Sequence, residues 1–371
     1  MTSHFKKIEL SGVDLVKYPS LRRKDVRPPD RRASHYLERY DYTTLFYDCF
    51  YQPQKGCFVF TAPRFLNLWP IFKKNLRING NPLSGRIKRY RWQRCEQVEI
   101  YTESNARLSI QLEEDEVSIH TRPSEQSLFT NMNVAVAMNK NNRIEWIVDW
   151  VTYHIRAQQL EGVCIIDNSS TDYSTDDLIA ALENIPDLKA ALVVSSPFPY
   201  GPVSASRKLE VSPRFLQTAM LNLVKRDAFN HARAILSVDI DELVTSFGQK
   251  NVFDAAVDSK LGAVSFRELR VYAREQDDAE HRHASHTKMR LNAKPGNTKW
   301  CVSGSGFMNN FGWAVHRFGG GFFPFTETSK FQYLHCQATT TNWKANRTQS
   351  PEDLVDCAVA EQAFNSLAPH C

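Results

Sequence analysis

The chain has 371 residues, of which 42% are hydrophobic and 23% charged, a composition typical of a globular protein and not of a disordered one. This length is sufficient for two or three domains, and we expect two. No stretch reaches the roughly 18–20 apolar residues that span a bilayer, and the first ten residues lack the apolar centre of a secretory signal. These features exclude an integral membrane protein and predict a cytoplasmic one.

The charge is distributed unevenly along the chain. The net charge is +5, but residues 1–100 carry 20 Lys and Arg against 9 Asp and Glu. Clustered positive charge attracts anionic surfaces, so the alternatives are a solvated basic face or contact with anionic lipid, an acidic polymer or nucleic acid. We favour the solvated face, keep peripheral association with the inner face of an anionic membrane as the alternative, and expect no nucleic acid.

Three segments follow one another along the chain. Residues 1–40 are polar, basic and interrupted by proline, which is typical of an arm with little structure. From 41 to 128, short β-type runs such as 57–61 and 97–102 alternate with turn residues and predict a small antiparallel sandwich. From 129 to 371, apolar strands alternate with helical patterns, which predicts an α/β domain with a mostly parallel, Rossmann-like sheet flanked by helices.

Within the α/β segment the elements can be placed individually. The predicted strands are 133–138, 162–167, 190–195 and 234–238. The predicted helices are 143–156, 172–184 and a third that starts with Ser212 as N-cap and Pro213 at the first position and runs to about 230. Ligands of such sheets bind beyond the carboxyl ends of the strands, so the residues that follow each strand are the candidates for chemistry.

Polar side chains follow three of these strands. They are Asn139-Lys140-Asn141 after the first, Asp167-Asn168 after the second, and Asp239-Ile240-Asp241-Glu242 after the fourth. In extended chain, carboxylates at i and i+2 point to the same side about 6–7 Å apart, so one could bind a metal ion while the other holds a sugar hydroxyl. Ile240 would then point into the core.

This arrangement suits the departure of a nucleoside diphosphate from a sugar. Negative charge grows on the β-phosphate oxygen as the glycosidic bond breaks, and a divalent cation stabilises it as a Lewis acid. Mn²⁺ and Mg²⁺ are the candidates, since both accept carboxylate and phosphate oxygens.

Together these motifs resemble a known family. The residues that carry the resemblance are Lys140-Asn141, Asp149-Trp150, Tyr153-His154, Gly162-Val163, the run from Ile166 to Asp172, Asp239 to Leu243, Leu334-His335-Cys336, Trp343-Lys344 and Arg347. In order and spacing the chain resembles GT-A glycosyltransferases of the family 2 and family 92 kind over about 200 residues. The resemblance implies the GT-A fold for residues 129–371.

The resemblance also implies roles for individual residues. The implied nucleotide-binding residues are Lys140, Asn141, Asp167, Asn168, Asp239, Lys299 and Arg347. The implied metal ligands are Asp239, Asp241 and His335, with Asp241 as the catalytically important one. An inverting transferase also needs a general base on the acceptor side. Glu268, which follows the strand predicted at 263–266, is our candidate, with a retaining mechanism as the alternative.

Ordinary structural roles remain the alternatives at several positions. Asp167 and Asn168 could form an Asx turn, and Asp239 with Asp241 could cap a turn. His335 could be a buried core histidine, and Lys299 or Arg347 a solvated charge. These readings do not by themselves explain why the three strand ends carry such residues together.

The sequence thus predicts a metal-dependent glycosyltransferase. We expect it to move a sugar from a nucleotide sugar, a UDP-sugar in particular, to a glycan or glycolipid acceptor in surface polysaccharide assembly. One rival is a phosphatase of the haloacid-dehalogenase type, which also ends a strand with Asp-x-Asp. The other is a glycan-binding protein whose transferase domain is inactive.

Overall fold

The structure is a computed structural model that describes residues 4–203, 210–273, 281–339, 341 and 351–365. Arg347, implied above as a nucleotide-binding residue, lies outside the described residues, as do Trp343 and Lys344.

Strands dominate the N-terminal third, and strands alternate with helices after it. The strands are β1 (Phe5–Glu9), β2 (Val13–Asp14), β3 (Thr44–Phe46), β4 (Asp48–Gln52), β5 (Cys57–Pro63), β6 (Leu76–Ile78), β7 (Asn81–Pro82), β8 (Ile87–Arg91), β9 (Cys95–Tyr101), β10 (Leu108–Leu112), β11 (Asp115–Ile119), β12 (Asn133–Asn139), β13 (Gly162–Asp167), β14 (Ala190–Ser195), β15 (Ala234–Ser237), β16 (Glu242–Ser246), β17 (Ala263–Val271), β18 (Lys288–Arg290), β19 (Thr298–Ser303), β20 (Glu327–Cys336) and β21 (Leu354–Asp356). The α-helices are α1 (Tyr36–Arg39), α2 (Leu68–Asn75), α3 (Ile144–Gln158), α4 (Thr175–Glu183), α5 (Leu216–Arg226), α6 (Val252–Asp258) and α7 (Ala358–Asn365). Short 3₁₀ helices cover Pro29–Arg31, Pro53–Lys55, His283–Ser285, Phe307–Asn310 and Gly320–Thr326.

A nine-stranded sheet forms the centre of the described part of the chain. Its order is β1-β14-β13-β12-β15-β19-β17-β20-β16. The first five strands are mutually parallel, whereas β15 with β19, β19 with β17, and β16 with β20 are antiparallel pairs. Two apolar clusters cover the two faces of the sheet, so that its inner strands are buried on both sides.

The predicted fold class is confirmed: a mostly parallel sheet flanked by helices follows smaller antiparallel sheets. The four predicted strands correspond to β12, β13, β14 and β15 within one residue at each end. The start predicted for the third helix is wrong, since α5 begins at Leu216 and its N-cap is Phe215. Pro213 and Arg214 instead pack against Gly201, where an added Cβ would lie 2.4 Å from the Pro213 carbonyl oxygen.

Two four-stranded antiparallel sheets make up the β-rich segment, in the orders β4-β5-β9-β8 and β11-β10-β6-β7. Apolar residues from both sheets, such as Phe60 and Ile110, share one buried cluster, as the predicted sandwich requires. In the preceding segment β1 is an edge strand of the central sheet, paired in parallel with β14. This strand was not predicted from the sequence, because it is only five residues long and its partner strand is distant along the chain.

The β-rich segment packs against α5 through polar contacts. The side-chain amide of Gln97 donates to the Asn222 carbonyl at 2.9 Å, and the Cys95 thiol lies 3.7 Å from the Thr218 carbonyl oxygen. Arg122 bridges the buried carboxylates of Asp48 and Asp227, both at 2.7 Å. Across the described ranges, no helix combines the length and apolarity needed to cross a membrane.

Candidate functional site

The carboxyl ends of the parallel strands border a cavity of about 720 Å³. β12 and β13 end level with each other, because Asn139 is paired with Asp167 in the sheet register. β15 ends beside them and leads into the acidic turn that contains Asp239 and Asp241. Parallel strands place such ends at one edge of the sheet, which is why residues about 70–100 positions apart meet here.

The acidic segment is a tight turn and not extended chain. Residues 240 and 241 are turn residues between β15 and β16, and the backbone N–H of Glu242 donates to the Asp239 carbonyl at 3.0 Å. The expectation of two carboxylates on one side of a strand is therefore wrong. Ile240 is 2% exposed and points into the core as expected.

Helix α3 and a nearby 3₁₀ turn hold this acidic turn in place. The indole N–H of Trp150 donates to the Glu242 carbonyl at 3.0 Å, and the His283 imidazole lies 2.7 Å from the Ile240 carbonyl oxygen. His154, fully buried, bridges the Trp150 carbonyl at 2.8 Å and the Val244 backbone N–H at 3.2 Å. These contacts pin the main chain on both sides of Asp241.

The second carboxylate of the turn faces a histidine on β20. Oδ2 of Asp241 lies 3.1 Å from Nε2 of His335, and Nδ1 of His335 lies 2.5 Å from Oε1 of Glu268. Glu268 also accepts from Nε of Arg270 at 2.9 Å and from the backbone N–H of Asn297 at 3.2 Å. The His335 imidazole therefore lies between two carboxylates, that of Asp241 in the acidic turn and that of Glu268 on β17.

Burial and the neighbouring charges have opposite effects on the pKa of His335. Burial disfavours the imidazolium, but the neighbouring Asp241 and Glu268 carboxylates raise the pKa of His335 to about 10. Burial also disfavours the Glu268 carboxylate, yet hydrogen bonds from His335 and Arg270 hold its pKa at about 2. A carboxyl with so low a pKa is a weak proton acceptor, so Glu268 is poorly suited to the general-base role expected of it.

The carboxylate of Asp239, the first in the turn, forms an ion pair with Lys299. The Lys299 ammonium, 1% exposed, lies 2.7 Å from Oδ2 of Asp239 and 2.8 Å from Oε2 of Glu242. Burial disfavours the charge on Lys299, but these two carboxylates raise its pKa above the ordinary value. Burial raises the pKa of Glu242 to about 7 against the lowering effect of Lys299. Lys299 is thus a buried counter-ion below the turn and not a residue of the cavity wall.

The other two strand ends form a hydrogen-bonded corner. Asp167 accepts from the Asn139 amide at 2.7 Å and from the backbone and hydroxyl of Ser170, so much of its carboxylate is engaged in the turn. The Asn168 amide donates to the carbonyls of Ser196 and Phe198 at 2.7 and 2.9 Å. The Asp167 carboxylate thus accepts from the backbone N–H three residues on, and not two residues on as in the Asx turn considered from the sequence.

The structure brings most of the predicted site residues to the cavity, with some beneath it. Those that line the cavity are Lys140, Asn168, Asp239, Asp241, Glu268 and His335. Asp167, Asn141 and Lys299 do not line the cavity; Asn141, for example, exchanges hydrogen bonds with Thr171 at 2.7 and 3.0 Å. Lining residues that the sequence analysis missed are Glu38, Arg39, Asn139, Asn142, Tyr200, Gln217, Glu242, Arg270, His316 and Tyr333.

Two of these residues carried a signal in the sequence, because Asn139 directly follows the first predicted strand and Glu242 lies in the acidic segment after the fourth. Glu242 directly follows the Asp-x-Asp segment, and its position next to two carboxylates was a reason to consider it as a ligand. Glu38 and Arg39 come from helix α1 in the N-terminal segment, more than 100 residues from the sheet edge that they border, so no local pattern points to them.

Three ligand-type side chains stand close enough together for one metal ion. The donor atoms of Asp241, Glu242 and His335 all lie within 4.8 Å of one another. An ion with bonds of about 2.1 Å places adjacent ligands about 3 Å apart, close to the 3.1 Å between Asp241 and His335. Two carboxylates and one imidazole suit Mn²⁺ well, so the residues fit the expected ion. The structure puts Glu242 in the place expected for Asp239, whose carboxylate turns toward Lys299.

Among the comparisons with known proteins, only the one with solved structures gives matches. No protein-family model matches the chain, and no curated protein matches it. A mannosyltransferase from Pyrobaculum calidifontis with GDP-mannose and Mn²⁺ is 20% identical over 38% of this chain and 37% of its own, with a TM-score of 0.24. TarS from S. aureus with UDP is 14% identical over 47% of each chain, with a TM-score of 0.27.

A third solved structure, GalNAc-T7 with UDP, GalNAc and Mn²⁺, is 11% identical over 56% of this chain and 44% of its own, with a TM-score of 0.32. The chain spans less than half the length of each of these three proteins. At such identities and TM-scores, the likenesses assign no activity to this chain.

Proposed function

We propose that this chain is a metal-dependent glycosyltransferase that moves a sugar from a nucleotide sugar, a UDP-sugar in particular, to a glycan or glycolipid acceptor. The observation that carries the proposal is the group of Asp241, Glu242 and His335 facing a cavity at the carboxyl edge of the parallel strands. A cavity of about 720 Å³ is within the range of small-molecule sites and is large enough for a nucleotide sugar.

Metal binding is the first role in this proposal. Asp241 and His335 would hold the ion, and Glu242 would supply a further oxygen. The ion, when bound, would act as a Lewis acid on the diphosphate oxygens. Asp239, whose carboxylate is 37% exposed and oriented by Lys299, would accept hydrogen bonds from the donor's ribose or sugar hydroxyls.

Residues at the corner between β12 and β13 would orient the nucleotide-sugar donor. Lys140 and Asn168 line the cavity there, and the Lys140 ammonium lies 3.2 Å from the Asn168 carbonyl oxygen. Asp167 and Asn141 would act indirectly, since their hydrogen bonds to Ser170 and Thr171 fix the shape of this corner. Within the implied nucleotide-binding set, Lys140 and Asn168 are thus contact residues, and Asp167 and Asn141 are supporting ones.

Glu268 is better explained as a positioning residue than as a base. Its carboxylate accepts from Nδ1 of His335, which leaves Nε2 of the same ring to face Asp241 and a metal ion. Metal-ligating histidines commonly donate their second N–H to a carboxylate, which fixes the ring and its tautomer. For inversion we propose Glu38 as the base, because it is an exposed carboxylate of α1 that lines the cavity.

The biological setting follows from the same resemblance. The family 2 and family 92 kind of transferase remains our proposal for the closest functional class, with surface polysaccharide assembly in the cytoplasm as the setting. As the alternative to a solvated face, contact of the basic N-terminal segment with an anionic membrane surface would gain about 1 kcal/mol for each juxtaposed Lys or Arg.

Thermal stability with nucleotides and metal tests the proposal. We would measure the melting temperature of the wild type and of Asp241→Asn with UDP, GDP, CMP and phosphate, each with and without Mn²⁺. A ligand that binds only the folded state stabilises it by RT ln(1 + [L]/Kd), about 2.7 kcal/mol at a hundredfold excess over Kd. A Mn²⁺-dependent shift with UDP that Asp241→Asn loses is the expected result. Stabilisation by phosphate alone would favour a phosphatase, and stabilisation by free glycans only would favour a binding protein.

A further inference from the structure

One face of two adjacent strands forms part of the cavity wall beside the metal-ligand group. β17 and β20 run parallel, with Glu268 opposite Tyr333 and Arg270 opposite His335. Residues two apart on a strand point to the same side, and all four of these residues line the cavity. Arg270 therefore lies on the cavity wall next to the histidine of the metal-ligand group.

A buried carboxylate holds Arg270 through only one of its nitrogens. Nε of Arg270 donates to Oε1 of Glu268 at 2.9 Å, and the same oxygen lies 2.5 Å from Nδ1 of His335. Oε2 of Glu268 instead accepts from the Asn297 backbone N–H at 3.2 Å. The Glu268 side chain is 2% exposed, whereas that of Arg270 is 55% exposed. Nη1 and Nη2 of Arg270 make no hydrogen bond within the described ranges.

Arg267, three residues earlier on β17, shows the contrasting arrangement. Its Nε and Nη2 donate to the two carboxylate oxygens of Glu327 at 2.8 and 2.7 Å, so the fork of this guanidinium is occupied. The Arg267 side chain is 45% exposed and does not line the cavity. The two arginines thus have similar exposure on one strand, but of the two only Arg270 has N–H donors available at the cavity wall.

The other cations of the cavity wall belong to other parts of the fold. Among the described residues that line the cavity, the remaining Lys and Arg residues are Arg39 of α1 and Lys140. The Lys140 ammonium lies 3.2 Å from the Asn168 carbonyl oxygen, at the corner between β12 and β13. Arg270, by contrast, shares a carboxylate oxygen with His335, which places its positive charge beside the metal-ligand group.

We propose that Arg270 binds an oxyanion of the substrate, a phosphate or a carboxylate, beside the metal ion. A guanidinium binds such groups through paired N–H donors, and both Nη groups of Arg270 are available for this. The buried Glu268 carboxylate fixes the side chain in advance, which reduces the rotamer entropy lost on binding. The assignment deepens the proposed function and rests on it for the identity of the substrate.

Either substrate of a transferase can supply this anion. The donor carries it as the diphosphate, whose oxygens the metal ion would also bind. An acidic acceptor carries it as a uronate carboxylate or a phosphate. Both sources share the chemistry that a guanidinium recognises, but nucleotide affinity depends on Arg270 in the first case only.

Titration calorimetry in MgCl₂ with the wild type and Arg270→Gln tests the assignment. The probes are UDP against uridine, and methyl glucuronide against methyl glucoside, so that each anion has a neutral counterpart. Arg267→Gln is the matched control, because Arg267 is an arginine of the same strand that does not line the cavity. We expect Arg270→Gln to weaken binding of an anionic probe at least tenfold, as for the loss of a charge-assisted hydrogen bond, and to leave its neutral counterpart unchanged. The control should leave all four unchanged.

The pattern of loss identifies the source of the anion. Weaker binding of UDP assigns the donor diphosphate, and weaker binding of the glucuronide alone assigns an acidic acceptor. Wild-type affinity of Arg270→Gln for both anions would overturn the assignment.

MnCl₂ titration without nucleotide separates direct contact from an effect through Glu268. Arg270→Gln should keep wild-type Mn²⁺ affinity, because Glu268 retains its contacts with His335 and Asn297. A loss of Mn²⁺ affinity as large as the loss of anion affinity would make Arg270 a positioning residue and refute direct binding. Arg270→Lys keeps the charge but not the fork, so its anion affinity should lie between those of the wild type and Arg270→Gln.

Inorganic pyrophosphate distinguishes failure of this assignment from failure of the proposed function. A wild type that binds no nucleotide with metal present contradicts the proposed function. If that protein still binds pyrophosphate at least tenfold more tightly than Arg270→Gln does, the anion site stands without it. Equal pyrophosphate and glucuronide affinity in the two proteins would remove the site as well.

Discussion

The Glu268 carboxylate occupies the space that a side chain at position 296 would fill, so Gly296 allows Glu268 to contact His335. A Cβ added at Gly296 would lie 1.5 Å from Oε2 and 2.5 Å from Cδ of Glu268, well inside the 3.4–4 Å of ordinary contact. In Gly296→Ala the carboxylate must therefore move by roughly 2 Å, and its hydrogen bonds with His335, Arg270 and the Asn297 N–H are broken. The backbone at Gly296 needs no unusual torsion angle, so the main chain itself should tolerate the substitution.

The expected effect is on metal affinity first and on stability second. Removing an outer partner of a metal-ligating histidine typically weakens metal binding about 10–100-fold, or about 1.4–2.7 kcal/mol. Hydrogen bonds to charged groups contribute about 1.5–3 kcal/mol each, and partial solvation of the displaced carboxylate leaves a net destabilisation of about 2–4 kcal/mol. Titration calorimetry with MnCl₂ and urea denaturation measure the two quantities on the same protein.

A second glycine provides the control. Gly248→Ala places its Cβ in open space with no atom within 4 Å, so it should keep wild-type Mn²⁺ affinity and stability. Glu268→Gln should reproduce the loss of metal affinity without the steric change. A folded Gly296→Ala protein that binds Mn²⁺ as tightly as the wild type would show that Glu268 does not position His335, and the reasoning would be refuted.

Three other predictions concern the residues around the turn. Asp241→Asn should abolish Mn²⁺ binding by calorimetry, and retention of wild-type affinity would remove Asp241 from the ligand set. Lys299→Met leaves two carboxylates without their buried counter-ion and should cost about 3–5 kcal/mol in urea denaturation; adding Glu242→Gln should recover part of that loss. Burial lowers the pKa of His154 to about 4, below its ordinary 6.5, so folding stability should fall by up to about 1.4 kcal/mol per pH unit as the pH drops from 6.5 to 4. His154→Gln should flatten this decline in unfolding free energy, and an unchanged slope would contradict the assignment.

The sequence by itself determined the strands of the parallel sheet and the residues that follow them. Runs such as 133–138 are apolar on both faces, because a strand inside a parallel sheet is buried on both sides. Such a run can be recognised in the sequence without knowing its partner strand. The polar residues after β12, β13 and β15 were found for the same local reason. A mostly parallel sheet then brings their carboxyl ends to one edge by topology alone.

Backbone conformation at the acidic segment was not determined locally. An Asp-Ile-Asp run is compatible with extended chain and with a turn, and the turn forms because Trp150 and His283 bind the carbonyls of Glu242 and Ile240 from distant elements. The consequence is chemical, since the turn directs Asp239 to Lys299 and gives Glu242 a place beside Asp241 and His335.

Register between distant strands decided the rest of the site. β17 and β20 run parallel with Arg270 opposite His335, which places Glu268 behind the imidazole although 67 positions separate them. Local periodicity specifies which face of an element is buried, but it carries no information about which distant element covers that face or at what register. The position of Glu268 beside His335 therefore depended on the tertiary structure.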